Sequence, residues 1–137
     1  MRVQLTEGVG LTVVPTTQFK TTRVAVHFLA PLAQADVAAR TLLTSVLETS
    51  CAAYPTQAAL SAHLEEMFGA SFGIGVGKEG QLHRVSANVN LLSDQFAQED
   101  LLAQGFALLQ AVLQAPLLVA GHFDEAVFNR ERHNLKE

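Results

Sequence analysis

The chain has 137 residues, of which 49% are hydrophobic and 16% charged, and its formal net charge is -4. This length fits one domain that buries about two-thirds of its unfolded surface, so the composition argues against a disordered chain. The acidic balance argues against nucleic-acid binding, because contacts to phosphates need a basic patch.

Cysteine content and hydropathy narrow the class of protein further. Cys51 is the only cysteine, so we expect neither a disulfide framework nor a thiolate metal cluster, and we interpret this thiol as a structural one. No run of residues approaches the ~18 apolar positions of a membrane span, and residues 1–5 lack the apolar core of a signal peptide. The sequence therefore predicts a cytoplasmic protein with no membrane partner.

Three strands are predicted before the first helix. Residues 3–6 alternate apolar and polar, Glu7-Gly8-Val9-Gly10 is a turn signal, and residues 11–14 return, which is typical of a hairpin. The third strand, residues 22–29, is rich in β-branched and apolar side chains and ends at Pro31. Alternation places three apolar side chains on one face of this strand: Val24, Val26 and Phe28.

Two amphipathic helices follow, over residues 35–50 and 56–68, with a break at Tyr54-Pro55 between them. Apolar residues at helical spacing predict a core-facing stripe on each helix. The first stripe contains Val37, Ala38, Leu42, Val46 and Leu47, and the second contains Leu60, Leu64, Met67 and Phe68. Gly69 is well placed to end the second helix in the left-handed conformation.

The residues after the second helix indicate a glycine-containing strand rather than a phosphate loop. Gly73, Gly75 and Gly77 lie within an alternating segment, whereas a phosphate loop places its glycines between a strand and a helix. Lys78-Glu79-Gly80 is a hairpin tip, and residues 84–92 return as the next strand. Glycines within a strand favour close approach by another backbone, so this strand is a candidate binding edge.

The last third of the sequence is predicted to be helical. A third helix covers residues 98–115 and ends at Pro116, and a fourth begins at Phe123. The fourth is still in register at Glu137, which indicates that residues 1–137 are one domain at the N-terminal end of a longer protein. The predicted fold class is α+β, an antiparallel-rich sheet with helices packed on one face, in the order β-β-β-α-α-β-β-α-α.

One histidine lies in a segment close to a zinc motif. His63-Leu64-Glu65-Glu66-Met67 differs from H-x-x-E-H at its last position, and methionine is a poor zinc ligand beside imidazole. We interpret Met67 as a core residue. A displaced metal site that uses His63, Glu66 and a ligand from elsewhere is the alternative. The other candidates, His83, His122 and His133, have no second histidine three or four positions away that would be presented with them on a helix.

Four segments, taken in order, resemble the first part of an insulinase-like (pitrilysin-type, inverzincin) metallopeptidase domain. They are the strand over residues 22–31, the helix over residues 42–49, the segment Leu64-Glu65-Glu66-Met67-Phe68-Gly69-Ala70-Ser71-Phe72, and Phe128-Asn129-Arg130-Glu131-Arg132, which is similar to the family's E-R-E-R segment. The resemblance spans nearly the whole chain. It implies the fold of that domain, and zinc as the cofactor of its active members.

The resemblance places the family's H-x-x-E-H motif on the first helix, at residues 45–49. In active members the two histidines bind zinc and the glutamate accepts a proton from the attacking water. Here those positions are Ser45, Glu48 and Thr49, and hydroxyls in place of imidazoles do not hold catalytic zinc. We therefore predict no metal, no cofactor and no intact catalytic residue. The family's third ligand is a glutamate near the E-R-E-R segment; Glu137 is near that position, and the register places the ligand slightly further on.

The resemblance also implies that extended peptides bind by strand addition. The binding strand is then Ser71-Phe72-Gly73-Ile74-Gly75-Val76, in which Gly73-Ile74 replaces the family's usual Asn-Ala. Such domains pair, in one chain or two, to enclose a chamber. The implied partners are therefore a homologous peptidase-like subunit or second half-domain, together with peptides.

Three functional hypotheses are open at this point. The leading one is a non-catalytic peptidase homologue that acts as a scaffold or peptide-binding subunit beside a companion with an intact motif. The second is an active zinc metallopeptidase whose site is displaced to His63 and Glu66. The third is an α+β interaction module unrelated to peptidases.

Overall fold

The computed structural model describes residues 1–136, and Glu137, where we predict the last helix to continue, lies outside the described residues. The elements in chain order are β1 (Arg2–Thr6), β2 (Val9–Thr12), β3 (Thr21–Pro31), α1 (Gln34–Thr49), α2 (Gln57–Glu66), β4 (Ser71–Glu79), β5 (Leu82–Leu92), α3 (Asp94–Ala97), α4 (Leu101–Gln114), β6 (Leu118–Val119), β7 (His122–Phe123) and α5 (Glu125–Lys136). The predicted order is present, with α3 and the small β6–β7 hairpin as additions.

The central sheet has three antiparallel strands in the order β3-β5-β4. β5 pairs along its length with β3, from Thr21↔Leu92 to Pro31↔Leu82, and also with β4, from Ser71↔Asn90 to Glu79↔Leu82. β5, the last of these three strands in the sequence, therefore lies in the middle. Within residues 1–136, β3 and β4 are the two edges of this sheet.

One face of the sheet carries the hydrophobic core. Alternation along β5 points Ala87, Val89 and Leu91 to this face, and each is at most 1% exposed. Side chains from α2 and α4 complete the same cluster: Leu60, Leu101, Leu108, Leu109 and Val112. The predicted class, an α+β fold with helices on one face of an antiparallel sheet, is confirmed.

α4 approaches β5 closely because Gly105 faces the sheet. A Cβ atom at this position would lie 2.6 Å from Leu91 Cδ1 and 3.4 Å from Val89 Cγ1. The shorter distance is well inside the contact distance of two carbon atoms. The missing side chain is therefore what lets the helix backbone lie against the core-facing side chains of β5.

The opposite face of the sheet is flat and polar along β4 and β5. Gly73, Gly75 and Gly77 point to it from β4, and a Cβ atom at Gly75 would meet nothing within 4 Å. Short side chains from β5 make hydrogen bonds across the strands: Asn90 Nδ2 donates to Ser71 Oγ at 3.2 Å, and Ser86 Oγ is 2.7 Å from His27 Nδ1. Neighbouring strands thus supply the partners for these polar groups.

The predicted stripe of α1 is wrong at one position. Ala38 is exposed, whereas Thr44, outside the stripe, is only 3% exposed. The Thr44 hydroxyl donates to the Thr41 carbonyl at 2.8 Å, which satisfies its hydrogen-bonding capacity inside the fold. Since a threonine whose hydroxyl bonds its own helix packs as a small apolar residue, hydropathy alone misplaces the stripe.

The end of α2 also differs from the prediction. Phe68 was expected in the core stripe, yet it has a φ of 59° and its side chain is 49% exposed. The left-handed conformation begins at this residue, one position before Gly69 with its φ of 71°. The helix therefore ends earlier than predicted, and the change of backbone direction takes the phenylalanine ring out of the stripe.

The predicted third and fourth helices begin later than expected. Gln98 has a φ of 58° and ends α3, and Asp100 then caps α4 by accepting from Ala103 N at 3.0 Å. Phe123 belongs to β7 rather than to a helix, and α5 starts after Asp124, whose Oδ1 accepts from Val127 N at 3.0 Å. Both aspartates are side-chain caps of the usual kind. Within residues 1–136 no helix is both long enough and apolar enough to cross a membrane.

The first predicted hairpin is confirmed as β1 and β2. Val3 pairs with Leu11, and the turn is shorter than expected because Val9 and Gly10 already belong to β2. Every residue from 1 to 20 is exposed. No helix and no other strand of the described chain packs closely on this hairpin.

Candidate functional site

A polar cleft of about 330 Å³ lies where α1, α2, α5 and β4 meet. Its lining comes from Ser45, Glu48 and Thr49 of α1, Gln57, Leu60, Ser61 and Leu64 of α2, Phe72 of β4, and Glu131 of α5. The residues that the family resemblance singled out on α1 thus lie together in one concave site. They share it with side chains from three other elements.

The helical spacing of α1 explains how its three residues reach the cleft. Ser45, Glu48 and Thr49 are related by three and four positions, so they project from one side of the helix. Val46, between them, is 6% exposed and packs into the interior. The amphipathic pattern of α1 therefore fixes which side chains face the cleft.

Glu48 and Glu131 are the two carboxylates that line the cleft. Burial raises the pKa of the Glu48 carboxyl above its usual range, and the negative charge of Glu131 raises it further. Glu131 also accepts from Arg130 Nε at 3.1 Å, which balances part of its own charge. Glu48 is thus the less compensated of the two carboxylates.

Glu131 is a lining residue that we did not identify as a site residue from the sequence. It lies in the segment Phe128-Asn129-Arg130-Glu131-Arg132, which was identified only as a similarity to E-R-E-R. Its role depends on α5 packing against α1, a tertiary contact for which the sequence pattern carries no signal. The only available signal was the resemblance itself.

The two hydroxyl groups at the predicted ligand positions are directed to the helix backbone. Ser45 Oγ donates to the Thr41 carbonyl at 3.2 Å, and Thr49 Oγ1 donates to the Val46 carbonyl at 2.9 Å. Zinc in proteins is held by imidazole, thiolate or carboxylate groups, and neutral hydroxyls are not among its usual ligands. In residues 1–136 no three side chains of histidine, cysteine, aspartate or glutamate are grouped to hold a metal ion. The donor set of the cleft does not fit catalytic zinc.

The predicted peptide-binding strand corresponds to the first part of β4. Residues 71–76 all belong to this strand, which pairs with β5 on one side and is an edge of the sheet on the other. Ile74 is 7% exposed and anchors the strand in the core, whereas a Cβ atom at Gly73 would lie 4.0 Å from Glu48 Oε1. The strand therefore borders the cleft, since Phe72 is one of its lining residues and Gly73 lies close to Glu48.

The alternative metal residues lie apart from the α1 residues of the cleft. His63 stacks on Tyr54 with ring centroids 4.3 Å apart, and its Nδ1 is 4.0 Å from Glu66 Oε2. The residues of α2 that line the cleft are Gln57, Leu60, Ser61 and Leu64, not His63. Met67 is fully buried, which confirms our interpretation of it as a core residue.

Two further polar or reactive residues, Cys51 and His83, are buried in the fold. Cys51 is fully buried, in line with the interpretation of this thiol as structural. His83 is 3% exposed, and its Nδ1 lies 3.2 Å from Arg40 Nη1. Because a guanidinium only donates, this nitrogen acts as the acceptor. Neither Cys51 nor His83 lines the cleft.

Two comparisons with known proteins place this geometry in context, although no protein-family model matches the chain. Over 132 residues the chain is 30% identical to the "Probable inactive metalloprotease YmfF" of Bacillus subtilis (strain 168), an alignment that covers 93% of this chain and 31% of that protein. A crystal structure of a conserved protein from Enterococcus faecalis V583 matches with a TM-score of 0.95 and 42% identity, over 99% of this chain and 32% of the other. The chain thus spans about a third of the length of each, and it is similar to a metalloprotease-like protein whose name describes it as inactive.

Proposed function

We propose that this chain is part of a zinc-less, insulinase-like peptidase homologue that binds peptides and has no peptidase activity of its own. The observation that carries the proposal is the joint position of Ser45, Glu48 and Thr49 in one cleft. The resemblance assigns these positions to a zinc motif, and the cleft keeps only the glutamate of that motif. The similarity to a Bacillus subtilis protein named a probable inactive metalloprotease supports the same conclusion.

The peptide-binding part of the proposal is supported by the position of β4. An edge strand offers unpaired backbone groups to a second extended chain, which is the basis of strand addition. Gly73 and Gly75 carry no side chains that would hinder an approaching backbone. The cleft next to Gly73 would receive a side chain of the bound peptide.

The partner and the extent of the protein are also part of the proposal. A cleft that lacks both histidines of the zinc motif makes no active peptidase, so we assign the catalytic zinc to a homologous subunit or a second half-domain with an intact H-x-x-E-H motif. The 137 residues would then be one N-terminal domain of a longer, cytoplasmic protein. Both similar proteins are about three times as long as this chain, which supports that view.

The first test is the zinc content of the full-length protein, purified without chelator, with peptide cleavage measured on the same sample. We expect far less than one zinc per chain and no cleavage. One zinc per chain with cleavage that is lost in Glu48→Gln would contradict the proposal. One zinc that is lost in His63→Ala but kept in Glu48→Gln would place the site on α2.

A positive control makes an absence of zinc informative. The double variant Ser45→His and Thr49→His places two imidazoles on the same side of α1, next to Glu48. Two histidines four residues apart on a helix are a known zinc-binding arrangement. This variant should bind zinc in the assay that gives none for the natural chain, whereas Ser45→His alone should bind far more weakly.

Peptide binding is tested separately with an extended peptide whose backbone amides are methylated at alternate positions. Strand addition depends on those amides, so methylation on one alternate set should weaken binding at least about tenfold, and methylation on the other set should not. On the protein side, Gly73→Val and Gly75→Val should each weaken binding, because each places a side chain in the segment that the peptide approaches. Gly77→Val is the matched control, since it lies in the same strand but outside residues 71–76. If the two methylated peptides bound equally well, and the valine variants bound as well as the natural chain, β4 would be excluded as the binding edge.

A further inference from the structure

The β1–β2 hairpin has one apolar face that is open to solvent. Val3 pairs with Leu11, Met1 is hydrogen-bonded to Val13 across the strands, and alternation puts these four side chains on the same side. Leu5 and Val9 extend the face at the bulged end next to the turn. We refer to the six residues, Met1, Val3, Leu5, Val9, Leu11 and Val13, as the apolar hairpin face. They are between 39% and 78% exposed.

The opposite side of the hairpin has a different composition. Arg2, Gln4 and Thr12 lie there, and Gly10 is the cross-strand partner of Gln4. The hairpin therefore has one polar and one apolar side, as a strand pair does when its apolar side is covered. A two-stranded hairpin alone is marginally stable in water, so a covering surface would contribute to its stability.

The position of the hairpin away from the core is shared with a solved structure. Residues 1–20 are about one seventh of the chain, and a TM-score of 0.95 over 99% of the chain leaves no room for a segment of that size in a different place. The same position thus occurs in a crystal structure of a chain about three times as long. The match covers 32% of that chain, so about two-thirds of that polypeptide has no counterpart within residues 1–137.

We propose that the apolar hairpin face docks on a second domain of the same polypeptide, the part that corresponds to the remaining two-thirds of the two similar proteins. This inference rests on the proposed function, in which the 137 residues belong to a longer protein. A domain on the same polypeptide is present at high effective concentration, so even a small apolar face can contribute to holding the two together. A membrane surface is a poorer occupant, since the hairpin carries one basic side chain and the sequence contains no tryptophan. The hairpin then fixes the orientation of the first domain against the second.

The test uses cysteine labelling, because the natural chain has one cysteine and it is fully buried. Leu11→Cys places a thiol on the apolar hairpin face, and Thr12→Cys, its neighbour in β2, places one on the polar side. Both are made in the full-length protein, with any further cysteines replaced by serine, and in the 137-residue chain. The rate of reaction with a maleimide is then measured under native conditions.

In the full-length protein we expect the thiol of Leu11→Cys to react at least about tenfold more slowly than that of Thr12→Cys. In the 137-residue chain the two rates should agree within about threefold. A second pair on β1, Val3→Cys and Gln4→Cys, should repeat the result if one substitution disturbs folding.

Three outcomes would overturn the proposal. Equal rates at both positions in the full-length protein would mean that the face is open there. Slow labelling of Leu11→Cys in the 137-residue chain that depends on protein concentration would assign the face to a second copy. A natural polypeptide that ends at residue 137 would remove the proposed occupant altogether.

Discussion

Glu48 and Glu131 both line the cleft although they are about eighty positions apart in the sequence. The negative charge of Glu131 opposes the ionisation of Glu48, and Arg130 contacts Glu131 but not Glu48. The hydroxyls of Ser45 and Thr49 add hydrogen-bonding groups but no positive charge. The residues of the cleft therefore leave it with an excess of negative charge.

The raised pKa of Glu48 predicts a pH-dependent effect of Glu48→Gln. Because the folded-state pKa lies above the unfolded value, the folded chain binds more protons, so the stability contribution of this group is present at low pH. It is lost as the pH rises from about 4.3 through the higher folded-state pKa. At pH 7 the ionised Glu48 thus lowers the stability of the fold, and Glu48→Gln should raise the melting temperature by roughly 1 °C, a small value because the side chain is partly exposed.

Thermal unfolding followed by circular dichroism at pH 7 and pH 4 checks this prediction. The difference between Glu48→Gln and the natural chain should be smaller at pH 4, where the natural carboxyl is largely protonated in the folded chain. Glu7→Gln, in the exposed turn of the first hairpin, is the control and should change neither melting temperature. A variant that is less stable than the natural chain at pH 7 would contradict the assignment.

The sequence predicted part of this site and could not predict the rest. The spacing of Ser45, Glu48 and Thr49 places them on one side of a helix, and the cleft lies on that side. Glu131 was not predicted as a site residue, because the sequence pattern of α5 does not indicate that this helix packs against α1. Local periodicity identifies which side chains share a face, but the element that this face meets is set by tertiary packing.

At the scale of elements, the ends of the helices differ most from expectation. α2 begins where Thr56 Oγ1 accepts from Ala59 N at 3.0 Å, as its sequence position suggests, but it ends at Glu66 because Phe68 turns to the left-handed region. A left-handed phenylalanine is uncommon, and the sequence favours glycine for that position. Helix starts with side-chain caps are therefore easier to predict here than helix ends.

The cap of α2 yields a prediction about stability. Thr56→Ala removes the acceptor for Ala59 N and should lower the free energy of unfolding by about 1 kcal/mol. Thr56→Ser keeps the hydroxyl and should restore most of that loss. Urea denaturation with a common slope for the three proteins measures the difference; equal losses in both variants would show that the cap contributes nothing.

The contact of α4 with β5 yields a second prediction about stability. Gly105→Ala introduces a Cβ atom 2.6 Å from Leu91 Cδ1, and strain of this kind costs about 1–3 kcal/mol, which exceeds the ~1 kcal/mol that alanine gains over glycine in a helix. We expect a net loss of stability in the natural background. With Leu91→Ala the space is free, so Gly105→Ala should there be neutral or stabilising.

The coupling between these two positions is the decisive quantity, and a double-mutant cycle by urea denaturation measures it. A coupling free energy near zero would mean that the helix shifts to accept the methyl group. The close approach of α4 to β5 could not be predicted from the sequence, because a single glycine within a helix does not indicate which strand the helix packs against.

At the scale of the whole molecule, the fold class was predictable because the strands and helices follow in a clear order with matching periodicity. The topology was not, since the pairing of β3 with β5 joins segments about fifty to seventy positions apart. It leaves β3 as an edge strand with Phe28 and Leu29 half-exposed, at 50% and 54%. Exposed apolar edge strands tend to pair with other chains.

The exposed edge of β3 predicts that the 137-residue chain self-associates in solution. Leu29→Glu places a charge on β3 opposite Arg84, its partner in β5, so it should reduce concentration-dependent self-association with little change in melting temperature. Light scattering over a dilution series measures the effect, with Leu29→Met as the control of similar size. Unchanged self-association of Leu29→Glu would mean that the chains do not associate through the edge of β3.

The central position of β5 has a consequence for the order of events on the ribosome. β3 is complete at residue 31, but its first partner residue is Leu82, about fifty positions later. Protein synthesis adds about 5–20 residues per second, so roughly 3–10 s pass between the synthesis of β3 and that of its first partner residue in β5. During that time α1 and α2 can form from local contacts, whereas the apolar strand stays exposed to other nascent chains. Binding by a chaperone is most useful to this protein in that interval, between the emergence of β3 and that of β5.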